Sequence, residues 1–151
     1  MANASLKALL TGLIFFAGCA TPPGTHFWYA DTTITARRVA EVLRQNPLAA
    51  GQNIRVVTLG SSVAVSHHIV QIRHGEELHI HRNHDLTVYV VKGHGTMRVG
   101  GEVFTLRQGD ALVIPRGVPH AFTNSGRLPA LAFVSFSPGF DGKDSTATLG
   151  R

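Results

Sequence analysis

The stretch from Gly109 to Asn124 limits the possible folds more than any other part of the chain. It reads Gly-Asp-Ala-Leu-Val-Ile-Pro-Arg-Gly-Val-Pro-His-Ala-Phe-Thr-Asn. Gly109, Pro115, Gly117, His120 and Asn124 punctuate a short apolar strand and a stiff turn. Upstream, His79-Ile-His81 places two imidazoles two residues apart, so on a strand both leave the same face. A histidine pair on one strand and a lone histidine behind a Pro-Gly turn on another meet only if the sheet curls round. A closed or sandwiched β-fold with a metal inside accounts for both.

The surrounding pattern agrees. From Asn53 onward, short runs rich in Val, Ile, Thr and Phe recur at roughly even spacing between Gly and Pro turns, with Gly100-Gly101 as a hairpin signal. That predicts an all-β sandwich or barrel over about Asn53 to Ser137. One helix is expected before it, at Thr32 to Gln45, capped by Asp31 or Thr32 and stopped by Asn46-Pro47. Ile34, Val39, Val42 and Leu43 form its apolar face.

Gly, five residues, Pro, one, Gly, two, His, three, Asn resembles the second motif of the cupin superfamily at every marked position. His-x-His followed by an acid and a Gly resembles its first. The resemblance covers Gly75 to Asn124 and implies a double-stranded β-helix, or jelly-roll, cupin barrel. It also implies a divalent transition metal, with His79, His81 and His120 as ligands. The family's acid usually lies seven residues before the Gly of the Tyr-Val-x-x-Gly run. Here that Gly is Gly93, and Leu86 stands seven back. Asp85 is one residue off and shorter than the usual Glu, so the fourth position is open to Asp85, the first candidate, to His84 as its alternative, or to water. Imidazoles and a carboxylate suit Fe, Mn, Zn, Ni or Cu alike. The family spans dioxygenases, isomerases, decarboxylases and non-enzymatic binding modules. A metal-dependent oxygenase or isomerase-type enzyme is one reading, and a module that holds a small ligand or metal without turnover is the other. The enzyme reading needs an acid–base group in the cavity, for which His68, His74 and Tyr89 are the candidates.

The first 18 residues read as a signal peptide. Lys7 is followed by an apolar run from Ala8 to Gly18, too short to span a bilayer. Phe16-Ala17-Gly18-Cys19 resembles a bacterial lipobox, which implies lipidation of Cys19. Residues 19–30 are expected to be a tether, 31–140 the cupin domain with its helix, and 141–151 a polar tail. Cys19 is the single cysteine, so no internal disulfide is possible. With Lys7 removed, 13 basic against 9 acidic residues leave +4, scattered along the chain, which argues against nucleic-acid binding. The expected partners are a small-molecule ligand or substrate and the membrane through the anchor, with a homodimer left open. The expected location is the bacterial cell envelope, periplasm-facing, at the outer membrane. There is no Gly-rich phosphate loop and no Gly-x-Ser-x-Gly elbow.

Overall fold

The computed structural model describes residues 28–30, 36–144 and 146–147. The signal segment, Cys19 and most of the tether lie outside them. Among the described residues, no helix is long and apolar enough to cross a membrane.

Strands β1 (Trp28–Ala30) and β2 (Ala36–Arg38) pair antiparallel, and helix α1 (Val39–Gln45) follows directly. The helix is therefore shorter than the expected Thr32–Gln45. The candidate caps Asp31 and Thr32, and Ile34, lie outside the described residues. The actual N-cap is Arg38, extended at φ −78° and ψ 132°, with no side-chain cap. Ala36–Arg38 are held in the β1–β2 ladder, so the helix begins only at Val39. The C-terminal stop falls as expected. Asn46 closes the helix with its backbone N–H on Val42 and Leu43 carbonyls, immediately before Pro47. Val39 and Val42 are buried. Asn46 also docks the helix on the barrel by accepting from Arg55 and Gln71 side chains.

The rest is an all-β double-stranded β-helix of two five-stranded antiparallel sheets. Its strands are β3 (Ile54–Ser61), β4 (Ser66–Ile72), β5 (His79–Ile80), β6 (Asp85–Lys92), β7 (His94–Val99), β8 (Glu102–Arg107), β9 (Ala111–Ile114), β10 (His120–Asn124), β11 (Ala130–Ser137) and β12 (Thr146–Ala147). One sheet runs β3-β4-β11-β6-β9 and the other β12-β5-β10-β7-β8. Inward residues of both sheets meet in one core: Leu86 and Val90 of β6, Met97 of β7, Ile114 of β9, Phe122 of β10 and Val134 of β11. Alternation on β6 is the period-2 signature, with Leu86 and Val90 buried and Thr87 exposed.

Gly75 permits a close backbone approach, and Gly117 a left-handed turn. Gly75 bridges to Thr123, and a Cβ on it would lie 2.7 Å from the Phe122 carbonyl oxygen. Gly117 holds φ +78° in the turn before His120, a region that favours glycine. Its N–H donates to the His81 carbonyl at 2.7 Å, tying the two motif segments together. Asn124 closes the far end: its side-chain amide reaches the Arg73 and Leu128 carbonyls at 2.9 and 2.8 Å.

The segment expected to be a polar tail is partly structural. Asp144 is buried at 8% exposure, and Thr146–Ala147 pair with Ile80 and His79 as an edge strand.

Candidate metal centre

His79 opens β5 and His120 opens β10, and the two residues face each other in antiparallel register. His81 lies two residues beyond His79, on the same face, as strand geometry requires. One ligand atom from each of the three lies within 4.8 Å of the others. His81 and His120 are buried, at 5% and 2% exposure.

The hydrogen bonds fix which nitrogen points inward. His79 Nδ1 lies 2.8 Å from the Glu77 carbonyl, His81 Nδ1 2.9 Å from the Asp144 carbonyl, and His120 Nδ1 2.9 Å from the Val118 carbonyl. A carbonyl oxygen only accepts, so each Nδ1 carries the proton and donates. Each neutral ring therefore keeps its lone pair on Nε2. His120 Nε2 is buried without a hydrogen-bond partner. An orphaned buried nitrogen costs about 1–3 kcal/mol, and a cation at the convergence point removes that cost. The donor set thus fits a metal ion, with backbone carbonyls in the orienting role that metal-binding histidines need. Burial pushes the His120 imidazole down to about 4, with neighbouring His79 and His81 adding and the Val118 bond opposing. Burial also lowers His81. Both rings are therefore held in the neutral form that ligation needs.

The structure separates the remaining candidates from this centre. Asp85 stands outside the three-histidine group. It is 42% exposed and forms a bidentate pair with Arg116, at 2.7 Å to Nη2 and 3.2 Å to Nε, and accepts the Arg116 backbone N–H at 2.8 Å. Those bonds to Arg116 depress its carboxyl to about 2. The turn at Arg82–His84 breaks the strand phase, so parity with His81 fails. His84 is buried but donates from Nδ1 to Asp144 at 2.6 Å, and its Nε2 faces the Gly139 carbonyl. It stands outside the three-histidine group.

The acid–base candidates are likewise displaced. His68 is buried, but it is held by Thr58 and Ser66 and rests edge-on against Phe136 and Phe140. His74 is exposed at the end of the barrel. Tyr89 has the opposite parity to Val88 and Val90, which line the cavity. None of the three lines it.

Two residues outside the sequence motifs stand beside this centre. Asp144 accepts the backbone N–H groups of Arg82 and Asn83 at 3.2 and 2.7 Å, the Asn83 amide at 3.1 Å, and His84. It clamps the turn that follows His81. Glu76 lines the cavity beside the histidines. Burial raises its carboxyl above the ordinary value, while His79 and the Phe122 backbone pull the other way.

The cavity holds about 270 Å³. Its walls are the apolar core residues of both sheets, with Leu86 occupying the place of the family's acid, and the histidines stand together in its lining.

The class is a jelly-roll β-barrel whose interior carries three convergent imidazoles that could hold a metal ion. The family model that describes the cupin domain matches residues 67–136. An uncharacterized protein of Aquifex aeolicus is 39% identical over 94 residues, covering 62% of this chain and 77% of the relative. The chain belongs to the cupin superfamily. It is also 29% identical over 87 residues to the L-ectoine synthase of Vibrio campbellii, covering 54% of this chain and 68% of that enzyme. Among solved structures, TT1209 from Thermus thermophilus superposes with a TM-score of 0.59 at 25% identity, over 68% of this chain and 95% of that one.

Proposed function

We propose that this chain is a metal-dependent enzyme, of oxygenase or isomerase type, acting on a small molecule in the barrel cavity. One observation carries the reading: a ring nitrogen of each of the three histidines lies within 4.8 Å of the others at the cavity wall, and His120 Nε2 has no hydrogen-bond partner. Three protein nitrogens leave coordination positions for a ligand oxygen, and a bound divalent metal supplies Lewis-acid or redox chemistry there. His79, His81 and His120 would hold the ion. The apolar walls would orient the ligand and keep out water. The likeness to an enzyme such as L-ectoine synthase supports catalysis as a class, without naming the substrate.

A binding module without turnover is favoured by one observation, Leu86 in the place of the motif's carboxylate. The discriminating experiment is elemental analysis of protein folded in an exporting bacterial host, followed by oxygen-uptake and turnover screens against a metabolite panel. About one equivalent of metal with turnover is the expected result. Metal without turnover would favour the binding module, and absence of any bound metal would overturn the metal reading.

The lipid anchor at Cys19 and a periplasm-facing place in the cell envelope, at the outer membrane, are part of the same proposal and rest on the sequence alone. Cys19→Ser is expected to block processing and move the protein out of the membrane fraction. Unchanged fractionation would refute the anchor.

A further inference from the structure

Glu76 is the only acid in the described lining of the cavity, and its only polar companions there are the three histidines. Its position is imposed by backbone. Gly75 bridges to Thr123, and the Glu76 N–H donates to the Phe122 carbonyl at 2.9 Å, two residues along β10 from His120. The bend at Glu77–Leu78 then carries the chain to His79. Of the two adjacent glutamates, Glu77 is exposed and Glu76 faces the interior. Glu76 is partly buried, and a carboxylate in a lining otherwise apolar apart from the histidines gains from a hydrogen-bond donor placed beside it. Its oxygens do not join the 4.8 Å group of the three histidine nitrogens. It therefore stands beside the centre rather than within it, in the lining of the same cavity of about 270 Å³.

We propose that Glu76 is the ligand-recognition group of this cavity. Its carboxylate accepts a hydrogen bond from an O–H or N–H donor on a small ligand whose neighbouring oxygen sits on the metal held by His79, His81 and His120. The inference rests on the metal reading above and adds the ligand class: a small, largely apolar molecule with a hydrogen-bond donor next to a metal-binding oxygen. Leu86, where the family motif has an acid, leaves the cavity no other described carboxylate for that task.

The test uses the full-length protein loaded with Co(II) and two probes, acetohydroxamate and N-methylacetohydroxamate. Both chelate through the same two oxygens, and only the first offers an N–H. Wild type should prefer acetohydroxamate by about tenfold, the scale of one charge-assisted hydrogen bond. In Glu76→Gln the preference should fall below about threefold, with Co(II) affinity changed by less than about threefold, because the metal ligands are untouched. Glu76→Leu, which suits the apolar walls, should show the same loss. An unchanged preference in both variants would overturn the proposal. A loss of Co(II) affinity beyond about tenfold would overturn it too, by making Glu76 a ligand. Failure of the metal reading itself is seen separately, as absence of Co(II) uptake before either probe is added.

Discussion

Removing the Asp144 side chain should damage both the fold and the metal centre. The carboxylate accepts four N–H groups from three consecutive residues, Arg82 to His84, and is 8% exposed. Asp144→Ala leaves two backbone N–H groups and the buried His84 Nδ1–H without their partner. At about 1 kcal/mol for each, with water replacing part of the loss at the surface side, the cost is about 3 kcal/mol. For a domain of this size that corresponds to a melting temperature lower by ~10 °C. The same turn follows His81, whose Nδ1 is oriented by the Asp144 carbonyl. The variant keeps that carbonyl but loses the clamp that holds it in place, so Co(II) or Zn(II) affinity should fall by about tenfold, the usual effect of an outer-shell change. Thermal melts of the metal-free protein and a chelator competition on the loaded one measure the two effects. A melting point within about 2 °C of the parent would refute the hydrogen-bond accounting. A large thermal loss with unchanged metal affinity would refute the link to His81.

Single His79→Ala, His81→Ala and His120→Ala substitutions should each weaken metal binding by at least about a hundredfold, since each deletes one of three nitrogens. His94→Ala, at an exposed position in β7, should leave binding within about twofold; both are read by competition with a chromogenic chelator. Asp85→Ala should break the Arg116 pair and leave metal affinity unchanged, and a strong loss would restore Asp85 as a ligand. The metal-free protein should also lose stability in acid. The His120 ring is held near 4 in the fold against about 6.5 in the unfolded chain, so the unfolded state takes up its proton first. The contribution is neutral above pH 6.5 and grows to a penalty of about 3 kcal/mol as pH falls to 4. Urea midpoints at pH 7 and 4.5 should therefore differ less in His120→Gln than in wild type, and equal differences would count against it.

The histidine triad was readable because everything it needs is local: an i, i+2 pair on one strand and a stiff Pro-Gly approach to the third ring. The barrel was readable for the same reason, from alternation and turn residues. What escaped depends on breaks in phase and on distant partners. Counting by twos from His81 places Asp85 on the ligand face, but the Arg82–His84 turn resets the phase. The partner that captures the carboxylate, Arg116, lies 31 residues away. Counting back from His79 turns Glu76 outward, and the bend at Glu77–Leu78 turns it in. The glycine before it was the available hint, since only a residue without Cβ lets the backbone press so closely on Phe122. Asp144 sits in a short polar stretch with no periodicity, and its partners lie about 60 residues upstream. Sequence pattern is silent on such a contact.

The three inward-pointing imidazoles take their orientation from the carbonyls of Glu77, Val118 and Asp144. Every residue type carries a carbonyl, so the instruction that sets each tautomer is written in the path of the chain and not in the identity of those residues. A side-chain scan across positions 77 and 118 would pass over this control without registering it. Changes of path, such as an inserted residue between Glu77 and His79, a lengthened turn before His120, or loss of the segment ending at Ala147, would rotate a ring or free its proton to the wrong nitrogen. In this barrel the three-histidine centre is exposed to changes of loop length at Glu77 and Val118 that no substitution of those two side chains would reveal.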